Sequence, residues 1–257
     1  VKIYNEDCLN ILPNISNQSI DLVITSPPYD NIREYNNSSI WNFNIFKKIA
    51  YELQRCLKDG GVIVWIVNDA TINGSESGTS FRQALYFKEI GLNLHDTMIW
   101  EKETFTAVGS IKTRYAPVFE YMFILSKGKP KTFNPIIDKK NIYGGTKIHG
   151  TLRLKNGKTK LQSCVGNKVK NYGIRHNVWK MNSEKSNKTD HPAVFPINLA
   201  QDHIKTWSNE KDIILDCFMG SGTTGIACKN LNRNFIGIEI DKKYFYIAKN
   251  RIESILI

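Results

Sequence analysis

The sequence predicts a doubly wound, mostly parallel α/β sheet with an inserted basic region. Three observations carry the prediction. Continuous apolar runs of strand length alternate with stretches of helical periodicity, the pattern of parallel strands covered on both faces. Two runs end in abrupt punctuation, one at Pro27-Pro28 and one at a Gly-rich loop beginning at Asp216. Periodicity then fades from residue 127 to about 180 and returns near His191. The 257 residues suffice for one sizeable core carrying an inserted module.

In chain order, the first segment reads as short strand, loop and strand, the second being the buried run Asp21-Leu-Val-Ile-Thr25. Residues 44–58 place Phe46, Ile49, Ala50, Leu53 and Leu57 on one helical face, and Gly60-Gly61 is expected to stop that helix. Val62–Val67 is a continuous apolar strand. A helix over 80–90 follows, then strands over Leu94–Trp100 and Val118–Leu125. Beyond the insertion come a helix over 196–206, a strand over Lys211–Asp216 and a helix bearing Ile226, Ala227 and Leu231. A strand over Phe235–Ile240 and a helix over 242–255 close the chain. No internal repeat is evident. These signals divide the chain into 1–128, an insertion over 129–180, and 181–257.

Charge is segregated. Residues 127–190 hold 16 Lys and Arg against Asp138, Glu184 and Asp190, a net of +13, while the remainder of the chain nets −2. A localised basic block is the footprint of a polyanionic partner; a solvated Lys-rich loop has the same composition. Cys8, Cys56, Cys164, Cys217 and Cys228 show no Cys-x-x-Cys spacing, which argues against a zinc site or redox pair and fits reduced thiols in the cytoplasm. No apolar run approaches the roughly 20 residues of a membrane span, and Val1-Lys2-Ile3-Tyr4 has no secretory h-region.

Two segments carry chemistry. Asp216-Cys-Phe-Met-Gly-Ser-Gly-Thr-Thr224 lies between a strand and a helix, where glycines let backbone approach a ligand. Its spacing is neither the three-glycine dinucleotide fingerprint nor a phosphate-binding P-loop. Glu239, 17 residues after Gly222 and at the end of the next strand, suits a pair of ribose hydroxyls. The other segment, Thr25-Ser-Pro-Pro-Tyr-Asp30, directly follows a buried strand. Its two prolines fix φ, remove two donors and leave rigid carbonyl acceptors at the sheet edge where ligands bind. Tyr29 there either stacks on a flat base or packs in a turn.

Thr25-Ser-Pro-Pro-Tyr29 resembles the catalytic tetrapeptide of amino-methylating DNA methyltransferases. Asp216-x-Phe-x-Gly-Ser-Gly-Thr resembles their cofactor motif, and His191-Pro-Ala-Val-Phe-Pro196 their remaining cofactor motif. The order, with catalytic motif first, basic insertion next and cofactor motifs last, resembles the β group of that family, and only residues 129–180 carry no family pattern. The resemblance implies a Rossmann-like methyltransferase fold, S-adenosyl-L-methionine as cofactor and double-stranded DNA with a short specific site as substrate. It makes 129–180 the target-recognition region and a cognate restriction endonuclease a candidate partner. Ser26, Pro27, Pro28 and Tyr29 would hold the target amine. Phe218, Gly220, Ser221, Gly222 and Thr223 would line the cofactor loop after Asp216, and Glu239 would hold the ribose. Asp7, beside Cys8, would meet the cofactor adenine. Thr25, His191 and Phe195 complete the cofactor-binding set, with Phe195 closing over the cofactor; no metal is implied.

In the family, Ser at the first tetrapeptide position is associated with cytosine N4 and Asp with adenine N6, so Ser26 favours cytosine. A carbon-5 cytosine enzyme would need a cysteine after proline, and none of the eight prolines precedes one. Related enzymes acting on RNA or protein glutamine place Pro-Pro-Tyr after the cofactor motif. A non-enzymatic nucleic-acid-binding module would need neither the Gly-rich loop nor Glu239.

Overall fold

Strands buried on both faces have no polar side to present, and the centre of this sheet is built from such strands. Ile20, Leu22, Val23, Ile24 and Thr25 all show 0% exposure, and Val62 to Val67 no more than 1%. The computed structural model describes residues 1–28, 41–103, 113–182 and 195–255. These form two compact units, one of Val1–Asn134 with Asn177–Ile257 and one of Pro135–His176.

The chain begins with β1 (Lys2–Tyr4), a one-turn helix α1 (Cys8–Ile11) continuing into a 3-10 turn, and β2 (Ile20–Thr25). Next come α2 (Phe43–Cys56), β3 (Leu57–Val67), a small hairpin of β4 (Thr71–Ile72) and β5 (Ser75–Glu76), α3 (Thr79–Glu89), β6 (Asn93–Glu101) and β7 (Phe119–Ser126). The second unit contributes β8 (Lys139–Lys140), β9 (Thr151–Arg153), β10 (Thr159–Leu161) and β11 (Tyr172–Gly173). The chain returns with β12 (Val178–Lys180), α4 (Ile197–Trp207), β13 (Ile213–Asp216), α5 (Thr223–Asn230), β14 (Asn234–Ile238) and α6 (Lys242–Glu253).

The main sheet runs β1-β14-β13-β2-β3-β7-β6-β12. Only β7 opposes its neighbours; the other pairs are parallel. β2 connects through α2 to β3 on one side, while β13 connects through α5 to β14 on the other. The winding therefore reverses between β2 and β13, and the crevice outside their carboxyl ends is where open α/β sheets bind ligands. α2 buries Phe46, Ile49, Ala50 and Leu53. Phe46, Trp65 and Phe87 meet in a triad with centroids 5.2–5.7 Å apart, and Trp65 Nε1 donates to Gln83 Oε1 over 2.8 Å.

Two local expectations differ. α2 stops at Cys56, and Leu57 already belongs to β3; Gly60-Gly61 lies inside that strand instead of ending the helix. Gly60, at φ +79°, allows an irregularity there, and a Cβ on Gly61 would come within 2.8 Å of the Leu57 side chain. Val178–Lys180, read as part of the insertion, joins the main sheet as a parallel edge strand on β6.

The Pro135–His176 unit has an internal two-fold pattern that the sequence reading missed. Tyr143-Gly-Gly-Thr-Lys-Ile148 and Cys164-Val-Gly-Asn-Lys-Val169 form equivalent turns, with Gly145 at φ +83° and Gly166 at φ +90°. Gly145 N donates to Val169 O over 2.9 Å and Gly166 N to Ile148 O over 3.0 Å. Ile148 N reaches Asn167 O and Val169 N reaches Thr146 O, both over 2.8 Å. The β9–β10 hairpin lies between the two turns in sequence. Among the described residues, no helix is long and apolar enough to cross a membrane.

Candidate active site

β2 ends at Thr25 and β13 at Asp216, so neighbouring strands deliver both motifs to the same sheet edge. A hydrogen bond joins them: Thr25 Oγ1 donates to Asp216 Oδ1 over 2.7 Å. Thr224 Oγ1, in the first turn of α5, donates to Asp216 Oδ2 over 2.6 Å, and Phe218 N donates to Oδ1 over 3.2 Å. Burial pushes the Asp216 carboxyl up to about 6, and the three donors hold it from rising further. Thr25 and Asp216 are essentially inaccessible, so this bridge fixes the site from behind.

From Asp216 the chain loops to α5 through Gly220 at φ +53° and Gly222 at φ +85°, conformations that favour glycine. A Cβ on Gly222 would stand 2.9 Å from that of Ala248. Arg251 of α6 donates to Ser221 O over 2.6 Å and Ser221 Oγ over 2.9 Å, tying the loop to the last helix. Thr223 Oγ1 is buried without a hydrogen-bond partner among the described residues. A buried hydroxyl in that state needs a ligand or water group to satisfy it.

Glu239 follows β14 directly. Its Oε2 accepts from Gly220 N and its Oε1 from Asp241 N, each over 2.8 Å. Burial pushes this carboxyl up to about 7, against the lowering effect of the two backbone donors. Each carboxylate oxygen can accept more than one donor, so the pair retains capacity for two hydroxyls. The Asn5–Asp7 segment is stitched to the same place: Glu239 N donates to Tyr4 O over 3.0 Å, and Glu6 N to Glu239 O over 3.2 Å. Asp7 then caps α1 by accepting from Leu9 N over 2.9 Å. Cys8 is buried behind it, and burial followed by the Asp7 charge raises its thiol well above the usual range.

Ser26 and Pro28 are half-buried at the end of β2, and Pro27 is buried. Phe218 is half-buried and meets Trp41 edge-on, with centroids 5.5 Å apart. Phe195 is half-buried just before Pro196, the cap of α4, a helix packed on α5 and β2. Tyr29 and His191 lie outside the described residues. Thr224, Asp241, Asn5 and Arg251 were missed by sequence reading. A signal existed for Thr224, since a hydroxyl run after a strand-terminal Asp can satisfy that acid; the others are set by folding alone. Among the described residues, no group of His, Cys, Asp and Glu is arranged to hold a metal ion.

This edge offers, among the described residues, an unpaired hydroxyl and a carboxylate on the β13–β14 side. Proline carbonyls stand on the β2 side. Such a set can hold a nucleoside-bearing ligand against an amine. Residues 20–250 match the N6/N4 family model described as DNA methylase. The chain is 50% identical over 252 residues to the orphan methyltransferase M.BamHII of Bacillus amyloliquefaciens, covering 95% of this chain and 92% of that one. The crystal structure of the M1.HpyAVI–SAM complex is similar with a TM-score of 0.65 and 29% identity, over 97% of this chain and 98% of that chain. The PvuII DNA methyltransferase shares the fold, with a TM-score of 0.72 and 22% identity over 99% and 87% of the two chains. The chain thus belongs to the N6/N4 DNA methylase family and is an S-adenosylmethionine-dependent DNA methyltransferase.

Proposed function

We propose that the chain methylates the N4 amine of cytosine at a short specific site in duplex DNA. The observation that carries this is Ser26, the first residue of Ser-Pro-Pro-Tyr29, set at the end of β2 beside the bridged loop of β13. S-adenosylmethionine, when bound, supplies an electrophilic sulfonium methyl group. The orphan Thr223 hydroxyl and the positive-φ glycines support its placement over Gly220–Thr223. Glu239 accepts the ribose hydroxyls, Asp7 meets the adenine, and Phe195 closes the site. Thr25 and Asp216, which the sequence reading grouped with the cofactor residues, act from behind by holding Phe218 and the start of α5 in place, while Cys8 is buried beside Asp7.

A base's amino nitrogen is a poor nucleophile because its lone pair is delocalised into the ring. The Pro27 carbonyl and Ser26 hydroxyl accept its hydrogens, which favours the pyramidal, nucleophilic form. Tyr29 stacks on the base after it leaves the duplex, at a cost of a few kcal/mol. Catalysis then comes from position and electrostatics, without a covalent enzyme intermediate. The Pro135–His176 unit, within the 129–180 span assigned from sequence, reads the target. The 50% identity to a relative named an orphan methyltransferase supports an enzyme that works without a cognate restriction endonuclease.

The base is tested by methylating duplex DNA with labelled S-adenosylmethionine and separating the nucleosides after digestion. The label is expected in N4-methylcytosine. Label in N6-methyladenine would overturn the role given to Ser26.

A further inference from the structure

The Pro135–His176 unit carries ten Lys and Arg against one acid, Asp138. That acid is already engaged, accepting from Arg175 Nε over 2.9 Å. The two equivalent turns place Lys147 and Lys168 directly opposite each other across an antiparallel bridge, both exposed. Like charges in that position are unfavourable unless an anion lies against them. Between the turns the chain forms a ribbon, with Arg153 opposite Thr159, Leu152 opposite Lys160 and Thr151 opposite Leu161. Its tip closes through Leu154 N to Lys158 O over 2.7 Å and Lys158 N to Asn156 Oδ1 over 3.1 Å.

Both faces of the ribbon are exposed: every residue of β9 and β10 is open to solvent, with Leu152 at 48% and Leu161 at 68%. A two-stranded hairpin with no covered face is marginal by itself and gains from a partner on each side. The side chains of Arg153, Lys155, Lys158 and Lys160 make no hydrogen bond or ion pair among the described residues, and the ribbon holds no acid. The arm from Gly150 to Leu154 reaches roughly 13 Å at ~3.3 Å per residue. A DNA major groove is about 12 Å wide and 8.5 Å deep and admits a two-stranded ribbon.

We propose that the β9–β10 ribbon enters the major groove of the target duplex. The Thr151, Arg153 and Thr159 face reads base edges, and Lys147 with Lys168 fastens phosphates at its root. The proposal rests on the reading of this chain as a DNA methyltransferase and adds which element selects the site. Arg is the residue suited to guanine, whose O6 and N7 it meets with a planar fork; Lys supplies charge without that fork.

The test uses the full chain, S-adenosylmethionine and a pool of random-sequence duplexes, with methylated positions read by sequencing. Arg153→Ala and Arg153→Lys are each expected to reduce preference for the wild-type site over its single-base neighbours by roughly ten- to a hundredfold. Melting temperature and cofactor affinity should stay at wild-type values. Lys147→Ala with Lys168→Ala is expected to weaken binding to all duplexes alike and to lower the salt slope by about 0.9 per lysine. If the wild type methylates a defined site and both Arg153 variants keep the same preference, the proposal is wrong while the enzymatic reading stands. If the wild type methylates no duplex in the pool, the enzymatic reading fails and the proposal with it.

Discussion

At the scale of single residues, the site depends on a buried carboxylate held by two threonines from different halves of the chain. Asp216 titrates near 6 in place of 3.8 because burial penalises its charge. Its folded value lies above its unfolded one, so the folded state binds the extra proton and stability falls as pH rises from about 4 through about 6. Thr25 limits that loss by donating to the ionised form. Thr25→Val should therefore cost about 1.5–3 kcal/mol, the range for a hydrogen bond to a charged group. The cost should be greatest above pH 6 and shrink near pH 4, where the acid is neutral. Melting curves of both proteins across that range provide the check, and a gap independent of pH would refute the bridge as a charged interaction. Thr25→Ser should restore the high-pH stability. No reading of the sequence pairs Thr25 with Asp216, which are 191 residues apart; the pairing exists only because β2 and β13 become neighbours.

At the scale of elements, α5 is pinned where it leaves the Gly loop. Gly222 caps it at φ +85° with Ala248 of α6 packed against the missing Cβ. Gly222→Ala places a side chain in a disfavoured conformation and against the buried Ala248 of α6. It should destabilise the fold by more than about 1 kcal/mol and weaken cofactor binding, measured by denaturant titration and calorimetry. A variant as stable as the wild type would contradict this packing. The central strands and α2 were legible because they carry a continuous apolar run, as in Val62–Val67, or a strong helical apolar period, as in α2. Gly60-Gly61 was not, because the same dipeptide serves as a helix stop or as an irregularity within a strand, and only the partner strands decide. The turns at Gly145 and Gly166 escaped notice because the shared pattern, Gly145-Thr-Lys-Ile148 against Gly166-Asn-Lys-Val169, is only four residues long. Asn156-Gly157 was a hairpin signal that could have located the β9–β10 ribbon.

At the scale of the whole molecule, the two chemical motifs sit at opposite ends of the sequence and meet where the winding of the sheet reverses. That meeting was legible as soon as Thr25-Ser-Pro-Pro-Tyr29 and the loop from Asp216 were both read as strand-terminal, since parallel strands share one carboxyl edge. The division of labour across it was only partly legible: Asp216 and Ser221 look like ligand contacts in sequence, yet the fold engages them with Thr25, Thr224 and Arg251. The central claim is that the β14 side holds the cofactor while the β2 side holds the target amine. Calorimetric titration of S-adenosylmethionine into the wild type, Glu239→Ala and Ser26→Ala tests this most directly. Glu239→Ala should lose about 1–3 kcal/mol of binding, and Ser26→Ala should bind as the wild type does. Unchanged affinity in a folded Glu239→Ala, or an equal loss in Ser26→Ala, would contradict the account.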